Sequence, residues 1–129
     1  MAVVTELSTL KGKLKDDWII NVSTTDASTA EEIRGAEADL RHGIREIIVT
    51  GISAGTEWFK ILNDGDILIG PVVLASGIPW FMKFENPIYG TLNTVLKLQT
   101  QSAYKIHCII KGVSDDMPIS SPSPSASPS

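Results

Sequence analysis

The residues that could carry catalytic chemistry in this sequence are few and scattered. The 129 residues contain two histidines and one cysteine. His42 follows Arg41 in what the sequence predicts to be a charged turn, and His107 faces outward from a strand pattern. A metal site needs several ligands at workable spacing, and no His/Cys cluster exists. The sequence therefore predicts structural or solvated histidines, with no metal and no cofactor.

The acidic residues lead to the same expectation. Asp64 and Asp66 flank Gly65 and could be a carboxylate pair or the start of a calcium loop. Residues 67–69 are Ile, Leu and Ile, which supply no further oxygen ligands, so a tight turn is the better interpretation. No nucleophile elbow, Walker loop or dinucleotide fingerprint appears. We therefore expect no catalytic residues and a protein that is not an enzyme.

Length, charge and apolar content limit the kinds of partner that this chain is expected to bind. The length suits a single domain, and the formal net charge of −4 argues against nucleic acid. No run approaches the ~18 apolar residues that span a bilayer, so we expect no membrane partner. The N-terminus lacks a basic and apolar leader, which predicts synthesis in the cytoplasm. The single cysteine, Cys108, excludes an intrachain disulfide and is expected to be a small buried hydrophobe.

Residues 44–113 read as short strands separated by turn signals. Before them, Trp18, Ile20 and Val22 share one face at period 2 and predict the first strand. Residues 63–66 (Asn-Asp-Gly-Asp) predict a hairpin turn, and residues 70–71 (Gly-Pro) a bulge or a sheet edge. About eight strands at spacings of roughly 8–12 residues are typical of a sandwich or barrel. Tight turns between neighbouring strands imply antiparallel pairing, so the predicted fold is an all-β antiparallel β-sandwich of jelly-roll type.

Two segments outside this pattern permit more than one interpretation. In residues 1–15, apolar positions 3, 7, 10 and 14 share a helical face, but Gly12 favours an N-terminal arm that orders against a neighbour. Residues 24–43 contain two capping-box patterns, Ser28 with Glu31 and Thr29 with Glu32, yet Gly35 interrupts the helix. A short helix and a strand over residues 30–35 both remain open on the residues alone.

The C-terminal residues 115–129 are rich in serine and proline and cannot form a core. We therefore divide the chain into an N-terminal arm (1–15), a β-sandwich domain (16–114) and an extended tail (115–129). A tail of this composition is expected to order only against a partner surface.

The order of turns and strand phases resembles small structural proteins of tailed bacteriophages. It begins with R-x-x-x-V-T-G-I and closes with L-x-L-Q-T and a final strand ending in G-V. The resemblance covers about half the chain, at residues 45–52, 64–65, 67–72, 77, 84–91, 96–100 and 104–113. It favours a strand over residues 30–35, and residues 35–43 depart from it with a longer turn. Such proteins are β-sandwich modules that decorate or cement the capsid, often as trimers, or belong to tails and fibres.

The resemblance implies a virion structural protein that binds the major capsid protein and self-associates, with trimers expected. The alternative is a tail, fibre or receptor-recognising module, in which Trp58, Trp80 and Tyr89 would line a glycan-sized groove. The candidate partner-binding residues are apolar or aromatic side chains of the arm, the strands and the tail: Val3, Val4, Leu7, Leu10, Trp58, Trp80, Tyr89, Pro122 and Pro124.

Overall fold

The computed structural model describes residues 2–11 and 15–116, and the side chains of residues 2–7 and 17–116. These residues form nine β-strands and no helix. The strands are β1 (Ala2–Lys11), β2 (Lys15–Thr24), β3 (Glu31–Arg34), β4 (Arg41–Gly51), β5 (Thr56–Asn63), β6 (Asp66–Ala75), β7 (Trp80–Tyr89), β8 (Leu96–Thr100) and β9 (Ile106–Asp115).

The strands make two sheets, ordered β1-β2-β9-β4-β7 and β3-β8-β5-β6. Every pair of neighbouring strands is antiparallel. From β2 to β9 the chain changes sheet at each connection except the β5–β6 hairpin. This wrapping of eight strands into two four-stranded layers is the jelly-roll arrangement, and β1 extends one layer to five strands. The predicted antiparallel sandwich of jelly-roll type is confirmed.

The core lies between the two sheets and is built from alternate residues of each strand, as the pleat requires. Trp18, Ile20 and Val22 are buried on one face of β2, as predicted. Cys108 is also buried, and its burial raises the pKa of the thiol to about 12. The larger buried side chains of the other strands include Phe59, Ile61, Leu74, Leu96, Leu98, Ile106 and Ile110.

The segment with helix-capping patterns is a strand. β3 pairs with β8, so the strand over residues 30–35 is confirmed and the helix is wrong. Ile33 is the buried apolar residue of β3, which is too little apolar surface to anchor a helix against the core. The Glu31 carboxylate accepts a hydrogen bond from the Thr24 hydroxyl at 3.2 Å, which joins the end of β2 to the start of β3.

Residues 2–11 belong to the domain's own sheet. β1 pairs with β2 from Ala2 opposite Thr24 to Lys11 opposite Asp16. The helical interpretation of this segment is therefore wrong, and the segment expected to be an arm that orders against a neighbour is an edge strand. A bulge at Leu7, between Glu6 and Ser8, breaks the period-2 pattern that would have signalled a strand.

One segment with a loop pattern is also a strand in part. Asn86-Pro87 and Tyr89-Gly90 make residues 85–93 typical of a loop, but β7 continues through Tyr89. Pro87 is tolerated because β7 lies at the edge of its sheet, where one side of the strand needs no partner. The predictions made for Pro122 and Pro124, and for the side chain of Leu10, lie outside the part of the chain that the structure describes.

Candidate partner-binding surfaces

A histidine and a serine do meet in this structure, but inside the core. His42 lies in β4 and Ser114 in β9, with His42 Nδ1 2.5 Å from Ser114 Oγ. His42 Nε2 lies 2.6 Å from the Gly35 carbonyl oxygen, and the Trp18 indole N–H donates to Ser114 Oγ at 2.8 Å. The charged turn predicted at His42 is therefore wrong, because strand β4 begins at Arg41 and turns the imidazole inward.

The hydrogen bonds of this cluster suit a neutral imidazole. The Gly35 carbonyl can only accept, so Nε2 carries the proton, and in the neutral ring Nδ1 accepts from the Ser114 hydroxyl. Burial lowers the pKa of His42, which is consistent with this tautomer. Ser114 is fully buried, so no substrate can reach its hydroxyl. The cluster joins the β3–β4 connection to the sheet, a structural role.

The described residues provide neither a metal-binding cluster nor a bilayer-spanning helix. Within residues 2–11 and 15–116, no group of three or more His, Cys, Asp and Glu side chains is placed to hold a metal ion. Over the same residues, no helix has the length and apolar character needed to cross a bilayer.

The three aromatic residues predicted to bind partners lie in three separate places. Trp58 lies half-buried on the outer face of the four-stranded sheet, with the Lys60 ammonium 4.8 Å from its ring centroid. Trp80, at the start of β7, packs its ring against Phe59 in the core, at 5.5 Å between centroids. Tyr89 lies at the opposite end of β7. The described residues thus form no common groove for these three rings.

Tyr89 belongs to a polar cluster at that end of the sandwich. Its hydroxyl donates to Asp115 at 2.7 Å, and the Arg41 guanidinium covers its ring at 3.6 Å from the centroid. Arg41 also pairs with Asp115 at 2.9 Å. Burial, followed by the adjacent Asp115 carboxylate, raises the pKa of Tyr89 to about 12. A ring covered in this way is not a free stacking platform for a sugar.

The sheet edges differ in how they are protected against pairing with another chain. β3 is only four residues long, β6 contains Pro71, and β7 contains Pro87 and the exposed Lys83. Short strands, prolines and lysines are the usual protective devices of edge strands. β1 is ten residues long and contains neither proline nor glycine, and its protective features are the bulge at Leu7 and the lysine at its last position, Lys11. Its Glu6 is engaged by Arg34 of β3 at 2.8 Å.

The edge strand β1 also presents exposed apolar side chains. Val3 is 63% exposed and Leu7 53%, and Val4 is exposed to a lesser degree. These are three of the residues that the sequence indicated for partner binding, and the signal was their place in the expected N-terminal arm. The unpaired edge beside them could not be foreseen, because it depends on β1 joining the sheet.

A second exposed apolar surface was not predicted from the sequence. Ile109, Ile48 and Phe81 lie side by side on β9, β4 and β7, because they are directly paired in the sheet register. They are 37%, 40% and 54% exposed. Together with Ile19 they line a shallow groove of about 290 Å³ on the outer face of the five-stranded sheet, bounded by Glu46 and Lys111. We call the three paired residues Ile109, Ile48 and Phe81 the outer apolar row.

The sequence matches no protein-family model and no curated protein. Among solved structures, it is similar to the CBM22-1-GH10 modules of an endo-1,4-β-D-xylanase 10B from Clostridium thermocellum complexed with xylohexaose. That likeness has 13% identity and a TM-score of 0.46 and covers 90% of this chain and 25% of the other, so this chain spans about a quarter of it. A Ralstonia eutropha protein assigned as a mannose-6-phosphate isomerase has 11% identity and a TM-score of 0.34, covering 91% and 86%. At such TM-scores neither likeness indicates a shared function.

Proposed function

We propose that this chain is a virion structural protein, a decoration or cement subunit that binds the major capsid protein through the free edge of β1. The observation that carries the proposal is the ten-residue edge of β1, which contains no proline and has Val3 and Leu7 exposed beside it. The resemblance to small phage structural proteins supplies the identity of the partner. The subunit acts by binding and not by catalysis.

The edge of β1 suits an extended polypeptide. One side of the strand is paired with β2, so alternate backbone N–H and C=O groups point away from the sheet. A partner segment that adds as a further strand satisfies these groups and places its own side chains beside Val3 and Leu7. Backbone pairing gives affinity, and the exposed apolar residues give specificity.

The rest of the domain suits a repeated structural role. The two sheets enclose one continuous core, so the subunit presents β1 from a rigid support. On a symmetric shell the same contact recurs many times, and avidity makes a modest single affinity sufficient when each subunit holds more than one neighbour.

The experiment is binding of purified variants to shells that lack the chain. The double substitution Val3→Lys and Leu7→Lys places charge along the edge, and we expect it to weaken shell binding roughly 10-fold or more while leaving the thermal unfolding curve nearly unchanged. The matched control is Val73→Lys, since Val73 is 70% exposed on the edge strand β6 of the other sheet. The control should bind as the wild type does.

Equal binding by the β1 double variant and the wild type would contradict docking through this edge. Binding to purified tails or fibres, with none to shells, would support the tail-associated alternative instead. A glycan-binding role would require that soluble oligosaccharides compete with attachment.

A further inference from the structure

The outer apolar row is flanked by a second row that is charged. Lys111 on β9 lies directly beside Glu46 on β4, and Glu46 lies beside Lys83 on β7. Lys111 Nζ and Glu46 Oε2 are 3.8 Å apart, and both side chains remain partly exposed. Ile19 on β2 completes this row on the other side of Lys111. Across β2, β9, β4 and β7 the row therefore reads apolar, positive, negative, positive.

On the two central strands, the charge is positive on β9 and negative on β4. A second copy that faces the first with this order reversed therefore places opposite charges together. Consider a second copy placed face to face, related by a two-fold axis that runs parallel to the strands between β9 and β4. Lys111 of one copy then faces Glu46 of the other, and the same contact recurs by symmetry. In the apolar row, Ile109 faces Ile48 of the other copy, also twice. An isologous interface requires this kind of reciprocal match.

The face approaches the size of a standard interface between two subunits. The four strands are 10 or 11 residues long. With strands ~4.8 Å apart and a rise of ~3.3 Å per residue, the face covers roughly 600 Å² in projection, and its side-chain relief adds accessible area. Standard interfaces bury about 800 Å² per partner. Two sheets stacked face to face commonly pack with their strand directions within about 30° of each other, as in aligned β-sandwiches.

We propose that the outer face of β2-β9-β4-β7 is a two-fold interface with a second copy of this chain, centred on Ile48 and Ile109. β1 lies outside the four facing strands, so its edge stays free in the dimer. The arrangement differs from the trimer implied by the family resemblance. Dimer formation is measured on the purified chain alone. A failure of this proposal can therefore be distinguished from a failure of docking to a shell.

The first test is analytical ultracentrifugation of the full chain from low micromolar to near-millimolar concentration. We expect a reversible monomer–dimer equilibrium. Ile48→Glu buries a charge at the centre of the interface in both copies and should raise the dimer dissociation constant roughly 100-fold or more. The control Val73→Glu, on the outer face of the other sheet, should leave the dissociation constant unchanged. Circular dichroism of each variant confirms that it is folded.

A charge exchange provides the second test, and it does not depend on an apolar residue. Lys111→Glu and Glu46→Lys each place like charges opposite one another, so each variant alone should dimerise more weakly than the wild type. Mixed together, they should form a heterodimer, seen by native mass spectrometry. In that heterodimer the glutamate introduced at position 111 of one copy faces the lysine introduced at position 46 of the other.

Three results would overturn the proposal. They are a wild-type chain that stays monomeric or forms a trimer, an equal loss of dimer in I48E and V73E, and an absence of heterodimer in the mixture of the two charge variants.

Discussion

At the level of single residues, the missing side chain of Gly112 determines how one end of the core is filled. A Cβ added at Gly112 would overlap the Trp18 ring and the Gly43 carbonyl oxygen. Trp18 is the largest fully buried side chain, and its indole N–H reaches Ser114. β9 therefore needs glycine at this position so that Trp18 on the neighbouring strand can lie across it.

Gly112→Ala should destabilise the fold, because either Trp18 or the backbone of β4 must move. We expect a loss of about 1–3 kcal/mol in the free energy of unfolding, the usual cost of overpacking a core. Gly65→Ala is the matched control, since nothing lies within 4 Å of a Cβ there. It should change the free energy by less than about 0.5 kcal/mol. Urea denaturation measures both, and equal effects would contradict this account of Gly112.

Replacing His42 should show how much its buried hydrogen bonds contribute to the free energy of unfolding. His42→Gln removes a ring that contacts both Ser114 and Gly35, and it should cost about 1–3 kcal/mol at neutral pH. The control is His107→Gln, on the outer face of β9, with an expected change below about 0.5 kcal/mol. Urea denaturation would refute the assignment if the two variants lost the same stability.

The pH dependence of stability follows from the lowered pKa of His42. Above about pH 6.5, the ordinary pKa of histidine, the residue is neutral in both the folded and the unfolded chain. As the pH falls below that value the unfolded chain takes up a proton that the folded chain resists, so the wild type loses stability. The difference in unfolding free energy between the wild type and H42Q should therefore shrink in mild acid. A constant or growing difference would contradict the burial of a neutral imidazole.

At the level of elements, sequence periodicity predicted the strands whose residues alternate between core and solvent. Trp18, Ile20 and Val22 in β2, and Leu96 and Leu98 in β8, are buried as their spacing requires. The prediction failed at β1, because the bulge at Leu7 shifts the register and leaves a spacing that mimics a helix. It also failed at β7, where an edge position tolerates Pro87.

Contacts between segments that are far apart in the sequence could not be predicted from residue patterns. The His42–Ser114 hydrogen bond joins residues 72 positions apart, and the outer apolar row unites three strands. The exposed residues Val3 and Leu7 were identified, but the free edge beside them depends on how β1 pairs. Residue patterns indicate which face of a strand is apolar, and only the topology shows which apolar faces stay uncovered.

Deleting residues 1–11 should leave a folded jelly roll that no longer binds a shell. Of the described β1 side chains, Ala2 is the one that packs against the core. The partly exposed Arg34–Glu6 ion pair that would be lost contributes little. We expect a cooperative thermal unfolding transition at a lower temperature than the wild type. Loss of the cooperative transition would show that β1 is part of the folding unit and not a docking element added to it.

At the level of the whole molecule, the core between the sheets makes the domain rigid, and exposed apolar surfaces outside that core are the ones that we assign to partners. The eight strands from β2 to β9 enclose the core, while β1 and the outer apolar row carry the exposed apolar residues that we assign to partners. The jelly roll itself does not specify a function, since the same architecture serves many. The assignment to a shell rests on the edge of β1 and on the resemblance to phage structural proteins.

The most direct test of this assignment is the abundance of the chain in purified particles, measured by quantitative mass spectrometry against the major shell protein. The account predicts a copy number comparable to that of the shell subunit, or a simple fraction of it set by the shell symmetry. A copy number of only a small percentage of the shell protein would place the chain on a tail or fibre. Absence of the chain from the particles would contradict the virion role altogether.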